Sequence, residues 1–381
     1  MHHILLGLIV AFFLSFYSIP VIIYIAKEKK LYDIPDERKN HMQPVPLLGG
    51  LGIFIGFVLS SLLSISFSNF FPEFQYFLAS FLIVFFLGIG DDIMVLSPFK
   101  KFIGQLVVAF ILTYKGHLLI TDFQGVLGIG LLSPMVSYVV SYLTILVIIN
   151  AFNLIDGVDG LAGSLALIAA LVFGTWFFLN GDISYSIIAF SLVGSTGAFL
   201  FYNFHPAKIF MGDAGSMLLG LVNAILVIHF IDKAPTAAVL PVSASPVVGF
   251  GILVIPLMDT LRVFFIRICR GRSPFSADRN HIHHLFLDRG FSVAATTLGI
   301  AGCSILFSVF SFLIPSLNGT VLLLCQAAFF FALILVLYLV KPVTTMRVVL
   351  DEKGNTVLTQ KKGRLVAIFS KYLKPAASDE E

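Results

Sequence analysis

The residues best able to do chemistry are acids set in short glycine-containing segments. Asp91 and Asp92 stand side by side after Gly90, and Asp156 and Asp159 belong to Asn150-Ala-Phe-Asn-Leu-Ile-Asp-Gly-Val-Asp-Gly160. Asp213 belongs to Phe210-Met-Gly-Asp-Ala-Gly-Ser216. In the second segment Asn150, Asn153, Asp156 and Asp159 recur every three residues, which on helical turns places them on one face, while Gly157 and Gly160 permit close approach of a ligand. A polar seam between helices is the bland alternative, weakened by the absence of any basic residue to match it. Asp213 precedes an apolar run, so it can sit at a helix N-terminus, where backbone N–H groups favour phosphate. Its carboxylate suits a hard cation such as Mg²⁺, which binds through one or two carboxylates plus substrate phosphates; use as a plain helix cap competes with this reading. Opposing charge comes from Arg279-Asn-His-Ile-His-His284. Three histidines could hold zinc, but no cysteine or carboxylate nearby completes a tetrahedral set, so Arg279, His281, His283 and His284 read better as anion ligands. Lys39, His41, Lys100 and Lys101 extend this basic rim, although lysines also gather at cytoplasmic helix ends as simple anchors.

The elements that must carry these residues follow from composition. Of 381 residues, 58% are hydrophobic and 12% charged, with 40 Phe against one Trp. Soluble domains carry about 25% charged residues, so a water-soluble enzyme is excluded. Mean hydropathy is +0.99. Eleven apolar stretches meet or approach the roughly 20 residues that cross a bilayer as a helix. They run 4–26, 47–67, 75–90, 102–120, 135–149, 161–179, 183–204, 216–231, 247–265, 293–314 and 320–340. A membrane barrel would instead show alternating segments of about ten residues. The expected fold is therefore all-α and polytopic, with about 11 transmembrane helices in residues 1–340 and a polar tail in residues 341–381.

The first stretch has no basic residue before it and Lys27, Lys29 and Lys30 after it, the reverse of a secretory signal. It reads as a first span with the N-terminus outside, and eleven crossings then put the C-terminus in the cytoplasm. Basic residues collect in cytoplasmic loops, and this topology places 22 of the 24 Lys and Arg residues inside, leaving out only Lys115 and Lys233. It also places Asp91, Asp92, Asp156, Asp159 and Asp213 at the cytoplasmic ends of spans, in three different loops. One such acid is ordinarily a cap or a solvated charge. Five, in segments almost free of other charge, point to three loops meeting in one polar layer.

Other signals carry less. Gly50, Gly52 and Gly56 lie in an apolar stretch rather than in a strand-turn-helix unit, so they read as small-residue helix packing and not as a dinucleotide loop. Cys269, Cys303 and Cys325 imply no disulfide framework. A transporter or lipid flippase would place ionisable groups near mid-bilayer and often show inverted repeats; here the acids lie at one face, and the one acid well inside a span, Asp259, has Arg262 as a partner at i+3. A scaffold without catalysis leaves the acidic loops unexplained. In the tail, 347–350 and 356–360 read as a hairpin, and 364–374 as an amphipathic helix on the inner leaflet.

In these residues the sequence resembles the polyprenyl-phosphate N-acetylhexosamine-1-phosphate transferases, from about Asp33 to Gly290. The matching blocks are Arg38-Lys-x-His41 with Pro46-Leu-Leu-Gly-Gly50, Gly90-Asp-Asp92 with Lys101, 150–160, 210–216 and 279–284. The His-Ile-His-His form is similar to the GlcNAc-1-phosphate branch and departs from the three consecutive histidines of the muramoyl-pentapeptide branch. The resemblance implies transfer of a HexNAc 1-phosphate from a UDP-HexNAc to undecaprenyl phosphate with release of UMP, using Mg²⁺ or Mn²⁺, at the cytoplasmic face of the inner membrane. That is the first membrane step of a cell-surface polysaccharide. No nucleic acid partner is implied, and a homodimer is compatible with it. By the same resemblance Asp91 and Asp92 form the reacting centre, Asp213 with Asp92 holds the metal, and Phe210 forms a uracil-binding wall. Lys39, His41, Asn150, Asn153, Asp156 and Asp159 would then line the nucleotide-sugar cleft, with Lys101, Arg279, His281, His283 and His284 around the diphosphate. A phosphate monoester is largely dianionic at neutral pH, having its second pKa near about 6, so direct attack on phosphorus is expected rather than a phospho-aspartate.

Overall fold

A computed structural model describes residues 1–33, 45–65, 71–273, 280–313, 318–340, 344–350 and 356–362. Helices dominate these residues. They are α1 (His2–Glu28), α2 (Gly49–Ser64), α3 (Phe74–Met94), α4 (Pro98–Phe110), α5 (Pro134–Ile155), α6 (Leu161–Leu179) and α7 (Ile183–Asn203). After these come α8 (Gly212–Lys233), α9 (Ser245–Ile252), α10 (Val254–Cys269), α11 (Ile282–Asp288), α12 (Val293–Leu313) and α13 (Gly319–Leu339). Three short antiparallel pairs accompany them among the described residues: β1 (Tyr32–Asp33) with β2 (Val45–Pro46), β3 (Asp122–Val126) with β4 (Ile129–Leu131), and β5 (Thr344–Leu350) with β6 (Thr356–Lys362).

Among the described residues eight helices are long and apolar enough to cross a membrane, so this is a polytopic, mostly helical membrane protein. Each of the eleven apolar stretches of the sequence is helical, but three depart from a single straight crossing. α2 has 16 residues, and α4 has 13 before its hydrogen bonding widens into a π-helical turn at Ile111–Lys115. The third stretch is broken: α9 and α10 meet at 83°. Pro256, in the first turn of α10, has no N–H to return to the Ile252 carbonyl, so the ladder cannot run through the junction.

α8 is the axis of the bundle. The apolar window of α8 is 94% buried, against 28% for α1 and for α13. Around it pack α2, α3, α5, α6 and α9, while α1 lies outside on α2 and α7. Leu5, Phe13 and Tyr17 of α1 and Leu324 and Leu335 of α13 are exposed, an apolar rim that water would not tolerate and lipid would. The β3–β4 hairpin, which the apolar pattern does not announce, is pinned at the end of the bundle away from the five acids. Gln124 exchanges hydrogen bonds with the Ser245 amide and hydroxyl at 3.0 and 2.7 Å, and the Leu127 amide donates to Thr320 Oγ1 at 2.7 Å. The strands expected at 347–350 and 356–360 fall inside β5 and β6; the amphipathic segment 364–374 lies outside the described residues.

Candidate active site

The site is built where α3 ends and α8 begins. α8 starts at Gly212, whose φ of +72° suits glycine, and a Cβ there would lie 2.6 Å from Asp92 Oδ2. On α3, a Cβ on Gly88 would lie 2.3 Å from Ala214 Cα, so only glycine lets the two helices approach this closely. The approach delivers Asp92 to the α8 N-terminus. Asp92 Oδ1 accepts from the Asp213 amide at 2.7 Å and Oδ2 from the Ala214 amide at 3.2 Å. Asp92 thus caps a helix remote in sequence, satisfying amides that have no partner inside α8, where the helix dipole favours negative charge. Asp213 is freed from the capping role that its position suggests. Each Asp92 oxygen keeps a further lone pair, so the metal-ligand role expected of Asp92 stays open to it beside its acidic neighbours.

Those neighbours are Asp91 and Asp213, joined by Lys101. Lys101 Nζ lies 2.6 Å from Asp91 Oδ2 and 2.5 Å from Asp213 Oδ2. Asp91 Oδ1 also accepts from the Leu96 amide at 2.7 Å, which holds the turn between α3 and α4. Ser97 begins α4 with Pro98 in its first turn, so Lys101 projects from the first turns of that helix back toward Asp91. Two carboxylates converge on one cationic point. Among the described residues no group of three His, Cys, Asp or Glu forms a closed metal cage. Asp91 and Asp213 nonetheless suit a hard divalent ion that keeps waters and takes its remaining ligands from substrate phosphates.

The Phe210-Met-Gly-Asp segment is held from below by 46–50. The Phe210 amide donates to the Pro46 carbonyl at 2.9 Å, and the Gly49 and Gly50 amides donate to the carbonyls of Phe210 and Met211 at 2.9 and 2.8 Å. Gly50 also lies against the Gly215 backbone. The block at Pro46–Gly50 is therefore a support for the acidic turn.

The single helical face expected of Asn150, Asn153, Asp156 and Asp159 forms only in part. α5 stops at Ile155 because Gly157 and Gly160 break the helix, Gly160 with φ +75°, so Asp156 is the C-cap and Asp159 lies in the loop before α6. Asn153 Nδ2 donates to Ser216 Oγ at 3.0 Å, tying α5 to α8 beside Asp213. Asn150 turns instead to Gln105 Oε1 at 2.7 Å. Asp159 Oδ2 lies 2.7 Å from His205 Nδ1 and accepts from the Ala207 amide at 3.2 Å, so it anchors the connection after α7. Asp156 faces the acidic centre. Burial, and then the charges of Asp213, Asp92 and Asp159, pushes its carboxyl up to about 8. It is thus protonated at neutral pH and can donate a hydrogen bond.

The histidines arrive on α11. A Cβ on Gly157 would lie 2.5 Å from His283 Nε2, which places α11 against the loop bearing Asp156. His281 and His283 are stacked with centroids 5.7 Å apart, and His283 and His284 lie at 4.3 Å. α11 is positioned by Asp259, which is fully buried. Asp259 Oδ1 accepts from Arg262 Nη2 and from the Ile282 amide at 2.9 Å each, and Oδ2 lies 2.9 Å from His281 Nδ1. Arg262 Nη2 also donates to the Asn280 carbonyl. His281 therefore leans on Asp259 with one ring nitrogen. The i+3 pairing of Asp259 with Arg262 is readable in the sequence, but its hold on α11 is not. Gln105 and His205 also gave no sequence signal, and Ser216 stood only as the last residue of the 210–216 segment. Lys39, His41 and Arg279 lie outside the described residues.

Acids drawn from α3, α8 and the α5–α6 loop, a bridging lysine and a histidine helix beside them define a polar centre at one end of a membrane bundle, fit for handling phosphates. Comparison with known proteins agrees with that class. Residues 74–231 match the model for glycosyl transferase family 4. A Bacillus subtilis (strain 168) protein named "Probable undecaprenyl-phosphate N-acetylglucosaminyl 1-phosphate transferase" is 34% identical over 319 residues, covering 82% of this chain and 86% of its own. An Escherichia coli O157:H7 protein named undecaprenyl-phosphate alpha-N-acetylglucosaminyl 1-phosphate transferase is 31% identical, covering 70% of this chain and 72% of its own. A Mycolicibacterium smegmatis protein named decaprenyl-phosphate N-acetylglucosaminephosphotransferase is 34% identical, covering 68% and 69%. The chain belongs to the polyprenyl-phosphate N-acetylhexosamine-1-phosphate transferase family and is a phosphoglycosyl transferase.

Proposed function

We propose that the protein transfers N-acetylglucosamine 1-phosphate from UDP-N-acetylglucosamine to undecaprenyl phosphate, releasing UMP, as the first membrane step of a cell-surface polysaccharide. The observation that carries this reading is the pair of carboxylates, Asp91 and Asp213, brought onto one ammonium at the end of a lipid-facing bundle. An apolar groove of about 350 Å³ supports the lipid acceptor: Val140, Leu143 and Val147 of α5 face Leu253, Leu257 and Leu261 across it. On α5 the groove reaches Ile148, two residues before Asn150, so a chain lying in it brings its head group toward the acids. The names of the relatives support the sugar and the polyprenyl acceptor. All eleven apolar stretches cross the membrane, with the N-terminus outside and the acids at the cytoplasmic face, where the positive-inside count places them.

The acceptor phosphate attacks the phosphorus that bears the sugar, and the bond from that phosphorus to the oxygen of UMP breaks. The bond from sugar to oxygen is untouched, so anomeric configuration is kept. The acceptor is mostly dianionic already, so no strong base is needed. The difficulty is holding two anions together. Lys101, with two of its three N–H donors on Asp91 and Asp213, keeps the third for a phosphate oxygen. Asp91 orients the acceptor, and protonated Asp156 donates to an oxygen of the donor. His283 and His284, with Arg279, Lys39 and His41, complete the anion-binding rim. Asp213 with Asp92, and Asp91 beside them, would hold Mg²⁺ or Mn²⁺, which would supply charge neutralisation at the diphosphate.

The test is incubation of purified protein with undecaprenyl phosphate, Mg²⁺ and a panel of UDP-sugars, scoring UMP. Release with UDP-N-acetylglucosamine and lipid together is expected. Release with another UDP-HexNAc alone would correct the sugar, and none with any would overturn the reading.

A further inference from the structure

A second cavity, of about 600 Å³, opens at the other end of the bundle. Its walls come from the ends of α3, α7 and α8 remote from the acids of the active site. Asp92 is 19 residues from Glu73 along α3 and Asp232 is 19 residues from Asp213 along α8, so about 28 Å separate the two places. The volume lies in the range of roughly 300 to 1,000 Å³ usual for small-molecule sites.

Three carboxylates line it, those of Glu73, Asp182 and Asp232, with Lys233 and the imidazoles of His117 and His229. Two of the acids are already engaged. Asp232 pairs with Lys233 at 3.0 Å, and Asp182 Oδ2 lies 2.6 Å from His229 Nε2. Glu73 begins α3 without capping it and has no hydrogen bond or ion pair among the described residues. Tyr185 is the independent feature. It is 6% exposed and part of the cavity wall, and its hydroxyl has no hydrogen-bond partner among the described residues. Its ring lies flat on His229, with centroids 3.4 Å apart and planes 1° apart, so it cannot swing away to find a partner. A mostly buried phenol whose hydroxyl no described residue engages, in the same cavity wall as a carboxylate unpaired among the described residues, is a polar surface that a donor can complement.

We infer that this cavity binds a ligand bearing a primary ammonium group, whose N–H donors and charge match Glu73 and the Tyr185 hydroxyl. Excess negative charge excludes an anion, and aromatic rings on the wall favour a desolvated cation. An ammonium group at a membrane surface has two sources, a soluble polyamine or the head group of an aminophospholipid. The inference is independent of the transfer reaction.

The experiment uses the full chain in phosphatidylglycerol nanodiscs, with spermidine titrated by calorimetry. Native mass spectrometry on protein from mixed phosphatidylethanolamine and phosphatidylglycerol membranes scores the retained lipid. Glu73→Gln and Tyr185→Phe are compared with wild type, with thermal unfolding to establish that each is folded. Saturable spermidine binding, weakened by roughly tenfold in Glu73→Gln as expected for loss of one partly buried ion pair, assigns a soluble amine. Selective retention of phosphatidylethanolamine, lost in Glu73→Gln, assigns the lipid. Should neither probe bind, or should folded Glu73→Gln and Tyr185→Phe bind both as wild type does, the inference is wrong.

Discussion

Removing the ammonium from the Asp91–Lys101–Asp213 bridge isolates what holds the site together. Lys101 Nζ is 2.6 Å from one carboxylate oxygen and 2.5 Å from the other, so those oxygens are at most 5.1 Å apart. Two negative charges at about 5 Å repel by roughly 3 kcal/mol at an effective dielectric constant near 20. Lys101→Met keeps the methylene stem and deletes the charge. In chelator it should lose stability by an amount of that order. For a protein of this size such a loss is a Tm lower by several degrees. Mg²⁺ can occupy the place the ammonium held, so millimolar Mg²⁺ should restore most of the lost Tm in the variant and do less for wild type. The assay is thermal unfolding of purified wild type and variant, each in chelator and in a Mg²⁺ series. Equal Tm values in chelator would show that the carboxylates do not depend on Lys101. A variant destabilised but indifferent to Mg²⁺ would show that Asp91 and Asp213 are not a cation site.

Asp156 gives a pH test. Its folded carboxyl is pushed up to about 8, while an unfolded one loses its proton near about 4. Between those values the folded state binds the extra proton, so stability falls as pH rises through that window and levels off above it. Asp156→Asn should remove this slope between pH 5 and 8; Tm profiles that stay parallel for the two proteins would refute the assignment. Gly88→Ala forces a Cβ into the backbone at Ala214 and should cost about 1 to 3 kcal/mol, with loss of transfer activity, whereas Gly302→Ala, with open space around it, should behave as wild type. Asp259→Ala strands Arg262 in a buried pocket and should cost about 3 to 5 kcal/mol; an unchanged Tm would mean that α11 is held by something else.

Much of the architecture was legible in one dimension, because a bilayer forces every backbone polar group to be satisfied within its own segment. Apolar stretches must then become helices, and all eleven did. The small-residue reading of Gly52 and Gly56 likewise followed from spacing, and both glycines abut α1 at Ile19 and Ser15. Where local rules are weaker the reading lost resolution. A helix can break within an apolar run, as α9 and α10 do, and the run's hydropathy does not register it. The three-residue spacing from Asn150 to Asp159 suggested one helical face, but Gly157 and Gly160 ended the helix after its first half.

The sequence by itself determined that the chain lies in a membrane, that its acids collect at one end of the helices, and which residue types are present for phosphate chemistry. Only the tertiary structure decided how the acids divide the work. Asp92 caps a helix begun 120 residues later, Asp91 and Asp213 share one lysine, Asp159 fastens a loop, and Asp156 keeps its proton. Each role depends on which charge or amide lies within a few ångströms, and electrostatic and hydrogen-bond energies depend on distance in space. Residue spacing along the chain carries no record of that distance once helices some 30 Å long fold against one another.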